Sequence, residues 1–70
     1  MRTFEELYEE YGRSIAVQQR VIKRYRKQLA AAREKSNFKE IKRLNSVLSV
    51  LYEEKSELEE RADGIYSYIS

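Results

Sequence analysis

Seventy residues with 37% charged side chains, no cysteine and no histidine make one small domain without a disulfide staple. Those absences remove thiolate and imidazole metal ligands and every Cys–His nucleophile, so no metal, no cofactor and no enzymatic activity is expected. The net charge is only +2, yet residues 20–43 carry ten Lys or Arg against two Glu, while residues 1–19 sum to −2 and residues 44–70 to −4.

The chain opens MRTFEELYEEY, acidic where a secretion signal is apolar. Its longest apolar run is Leu29-Ala30-Ala31-Ala32, far short of the roughly 20 residues a bilayer span requires. A cytoplasmic protein with no membrane partner is the expectation.

Thr3-Phe4-Glu5-Glu6 reads as a capping box, with Thr3 as cap and Glu6 reaching back. From there, steps of four and three visit Phe4, Tyr8, Tyr11, Ile15, Gln18, Ile22, Tyr25, Leu29 and Ala32, and eight of these nine are apolar or aromatic. That is a heptad seam, with Tyr8, Ile15, Ile22 and Leu29 at a positions and the rest at d. It predicts a first helix over about 4–34. Gly12 falls at an e position inside it, at a propensity cost of about 1 kcal/mol, and a close neighbouring backbone near Ala62 is the expected reason.

A second seam runs through Ile41, Leu44, Leu48, Leu51, Lys55, Leu58, Ala62, Ile65 and Ile69, again eight of nine apolar. The two seams are out of phase: counting by sevens from Leu29 reaches 36, not 41. With no Gly or Pro between them, one continuous helix is the rival reading. The phase break and a second cap, Asn37 or alternatively Ser36, favour a turn at about 35–37. The second helix then runs over about 38–63, or to 69 if it passes the candidate C-cap Asp63-Gly64. The fold class is therefore all-α: a single domain, residues 1–70, folded as an antiparallel, coiled-coil-like two-helix hairpin.

Folding the hairpin at 36 brings Phe4, Tyr8 and Tyr11 to Ala62, Ile65, Tyr66 and Tyr68, an aromatic cluster at the open end. Gln18 and Lys55, the two polar seam residues, fall at nearly one level. Either both snorkel, or the Gln18 carbonyl accepts from Lys55 in a polar layer with Glu54 or Glu59 at hand. Leu7, Val21, Val47, Val50 and Tyr52 flank the seams and widen the apolar stripe beyond what two helices cover, and Val17, Phe38 and Tyr68 add to it. These five form the candidate oligomer interface. The expected partner is a second copy, giving a dimeric four-helix bundle, with another protein's helices as the alternative.

Arg20, Lys23, Arg24, Lys27, Lys39, Lys42 and Arg43 occupy outer positions around the turn and are the candidate partner- or phosphate-binding residues. The plainest account of a charge run is a solvated face, but that does not explain why Glu is nearly excluded. Cations late in the first helix suit its macrodipole; Lys39, Lys42 and Arg43 at the start of the second oppose theirs. The functional expectation is a non-enzymatic helical interaction or assembly module, a homo-oligomeric regulator or adaptor. The alternative is nucleic-acid binding, through phosphate contacts at the basic tip. A third possibility is an acidic protein or phosphorylated ligand held there.

Overall fold

Thr3 begins the fold. Its backbone is extended, at φ −77° and ψ 165°, and its hydroxyl accepts the Glu6 amide hydrogen at 3.1 Å. Glu5 and Glu6 place negative charge on the first turn, where the helix dipole favours it. In the computed structural model, which describes residues 2–69, this cap opens α1, Phe4–Glu34, and a short turn leads to α2, Phe38–Ile69.

The turn is a Schellman motif. Lys35 ends α1, and Ser36 adopts φ +53°, the left-handed conformation. That geometry lets the Asn37 amide donate to Ala32 O at 2.9 Å and the Ser36 amide donate to Arg33 O at 3.1 Å, so two end carbonyls are satisfied. Asn37 serves both helices: its Oδ1 also accepts from the Glu40 amide at 3.3 Å and caps α2. Ser36 is thus the helix stop, and Asn37 alone is the cap. The chain reverses because one serine takes a conformation that usually calls for glycine, which is why no Gly or Pro marks the break.

The helices run antiparallel. Phe4 stacks on Tyr68 at one end, Gln18 reaches Glu54 midway, and the turn closes the other end. Ile22, Leu29, Ala32, Leu44 and Leu48 form the buried core, with Tyr25, Ile41 and Leu51 packed against it. Leu44 is fully buried at 0% exposure. The core therefore sits in the half next to the turn. Toward the open end Ala62 is buried, while Tyr11, Ile15, Leu58, Ile65 and Ile69 are only partly covered.

Two expectations about the helix interiors need correction. A Cβ built on Gly12 would meet nothing within 4 Å, so no close backbone explains that glycine; Gly64 is equally open, and α2 continues straight through it. The polar level of the seam also differs in its bonding. The Gln18 amide nitrogen donates to Leu51 O at 3.3 Å and to a Glu54 carboxylate oxygen at 2.9 Å, while Lys55 pairs with Glu59 at 3.1 Å. Gln18 acts as donor rather than acceptor because an ammonium can be satisfied one turn along its own helix, leaving the glutamine to bridge the two helices.

The molecule is a rod, 49 × 19 × 15 Å between Cα extremes. Its radius of gyration is 15.9 Å, against about 11 Å for a globular domain of this length. Among the described residues, no helix is long and apolar enough to cross a membrane.

Candidate functional site

With a and d positions turned inward, an antiparallel pair sets the e positions of both helices along one face and the g positions along the other. The grooves follow this division. On the e face, a groove of about 600 Å³ is lined by Gln19, Lys23, Arg26 and Lys27 of α1 and by Tyr52 and Lys55 of α2, over a floor of Ile22 and Ala30. A second groove of about 610 Å³ runs along α2 past Phe38, Ile41, Lys42, Asn45 and Ser49. On the g face, Gln28, Lys35 and Glu40 line a smaller one of about 250 Å³.

The basic residues separate between these faces. Lys23, Lys27 and Lys42 line the e-face grooves, and so do Arg26 and Lys55, which are not among the seven binding candidates named from the sequence. None of the described residues lining those two grooves is acidic, and Lys23, Arg26, Lys27 and Lys42 make no ion pair with any described residue. Arg20 and Lys39 occupy f positions on the outer backs of the helices. Arg24 and Arg43 occupy c positions, next to the g face.

Arg43 is engaged locally. Its Nε donates to both Glu40 carboxylate oxygens at 3.1 Å, and its Nη2 donates to one of them. That hydrogen bonding, reinforced by the guanidinium charge, holds the Glu40 carboxyl below its usual range, and the same bond raises Arg43 above its own. The cation excess at the start of α2 is accordingly smaller than a residue count implies, and of Lys39, Lys42 and Arg43 it is Lys42 that lines a groove. Arg26 could have been found from the sequence by aligning e positions across the hairpin: it shares that register with Phe38 and Tyr52.

The chain matches no family model, no curated protein and no solved structure.

The apolar flank residues also divide. Leu7, Val21 and Val47 are half-buried g residues, and Val17 and Val50, at the neighbouring c positions, are each 53% exposed. These share one face. Tyr52 does not belong with them: it lies across the hairpin, in the basic groove. At the open end, Phe4 stacks on Tyr68 with centroids 5.1 Å apart, and Tyr8 meets Tyr66 at 5.5 Å in a tilted pair. All four rings remain exposed, so the aromatic cluster lies over the end of the rod and not within a closed interior.

Proposed function

We propose that the chain is a non-enzymatic assembly module, a regulator or adaptor whose working unit is a two-fold homodimer. Two hairpins pack antiparallel through the face bearing Leu7, Val17, Val21, Val47 and Val50, forming a four-helix bundle. The observation that carries this reading is surface area. The hairpin exposes 5677 Å², whereas a compact protein of its 8.4 kDa exposes about 4,600 Å². The excess, roughly 1,000 Å², is close to the about 800 Å² per partner that a standard interface removes.

Charge selects the orientation and favours a second copy as the occupant. The tip half carries net +8 and the two chain ends −2 and −4. An antiparallel pair sets each basic tip beside the partner's acidic end, and Val17 and Val21, near the middle of α1, lie where the two-fold axis must pass. Parallel packing would oppose like charges.

Light scattering on a sizing column tests this. The expected mass is about twice the 8.4 kDa of one chain, with dissociation promoted by added salt through screening. Val17→Lys with Val50→Lys is expected to yield a helical monomer, because both side chains are exposed in the hairpin. A strictly monomeric wild type that melts cooperatively at tens of micromolar would sink the proposal.

A further inference from the structure

The e face is not used by that dimer; it points outward from both sides of the bundle. It sets exposed aromatic rings beside cations that make no ion pair with any described residue. Phe38 is 77% exposed and Tyr52 45% exposed. Both are e residues of α2, fourteen positions apart, which is four heptad-register turns and about 21 Å along the helix. Between and beside them lie the two grooves with Lys23, Arg26, Lys27 and Lys42. The cationic stretch ends at Lys55, whose charge is met by Glu59 at 3.1 Å.

We infer that this face binds single-stranded nucleic acid, with Phe38 and Tyr52 stacking on bases and Lys23, Arg26, Lys27 and Lys42 contacting the phosphates between them. A duplex keeps its bases stacked on each other and would leave both rings idle. An acidic peptide would use the cations but would meet both rings only if it placed an aromatic residue at each, whereas every nucleotide of a single strand offers a planar base. Flat exposed rings set in a basic groove are the recurring arrangement for single strands, since every base has a π-face. The inference is independent of the homodimer, which uses the opposite face.

Fluorescence anisotropy with labelled oligothymidine and a mixed-sequence single-stranded RNA, each compared with a duplex of equal length, tests it. Single strands are expected to bind more tightly than the duplex. Affinity should fall with salt at a logarithmic slope of about −0.7 per phosphate contact, near −3 for four contacts. Phe38→Ala and Tyr52→Ala should each weaken binding on the order of tenfold; both rings are exposed, so the fold survives, and circular dichroism checks that. Arg26→Gln should weaken binding while Arg24→Gln, on the other face, leaves it unchanged. No single-strand binding at low salt would overturn the inference. So would equal affinity for duplex, indifference to both ring deletions, or equal competition by polyglutamate. The same titration on the Val17→Lys, Val50→Lys variant separates this outcome from the fate of the dimer.

Discussion

Ser36 is the residue on which the fold turns. An L-residue in the left-handed region is strained by roughly 1 kcal/mol relative to glycine. Ser36→Gly should therefore stabilise the hairpin by about 0.5–1 kcal/mol, and Gly12→Ala by about 1 kcal/mol, since a Cβ at Gly12 meets open space in a helix. In thermal melts the pair should raise the midpoint by several degrees each. The Glu40–Arg43 pair gives a pH signature. Because folding depresses the Glu40 pKa, its contribution is present above the ordinary glutamate range and is lost as pH falls through the lowered value. The wild type should lose more stability on acidification than Glu40→Gln does, by a small margin because the pair is exposed. Equal acid sensitivity in both would show that the pair contributes nothing.

At the scale of the element, each helix is a long amphipathic rod that its partner only half covers. Burial is concentrated in the turn-proximal half, and Leu44 is its centre. Truncating a fully buried leucine costs about 2–5 kcal/mol, and a 70-residue domain has only about 4–10 kcal/mol in total. Leu44→Ala should leave the chain largely unfolded at low concentration by far-ultraviolet circular dichroism. A melt within a few degrees of wild type would show that the core is held mainly by contacts outside the hairpin. Gln18 acts at this scale too: its bonds to Leu51 O and Glu54 tie the two helices at one level, where slippage of a heptad would break both.

For the whole molecule, the balance is between an elongated shape and a small core. A rod 49 Å long can separate charge along its length and present two chemically different faces. The two proposed roles, association through the apolar g face and polyanion binding through the basic e face, do not compete for surface. The segregation of charge then has two uses. It would orient the proposed dimer, and it concentrates positive potential near the tip, so added salt is expected to weaken both proposed interactions together.

Most of the fold was legible in the sequence. Heptad spacing placed Ile22, Leu29, Ala32, Leu44, Leu48 and Ala62 inside, and the phase break placed the reversal, because periodicity is a local property that a helix expresses wherever it packs. Thr3 and Asn37 were readable for the same reason: a cap bonds its own next turn. What needed the tertiary structure was everything that depends on which residues of the two helices become neighbours. That Arg26 and Tyr52 share the e face, away from the valines, follows from heptad register alone. Gln18 finding Leu51 and Glu54 and Lys55 turning to Glu59 follow instead from the rotation of each helix about its axis and the register between them. A single chain's heptad pattern limits that rotation but does not choose which flank residues of the other helix stand across each groove; side-chain packing at the seam does.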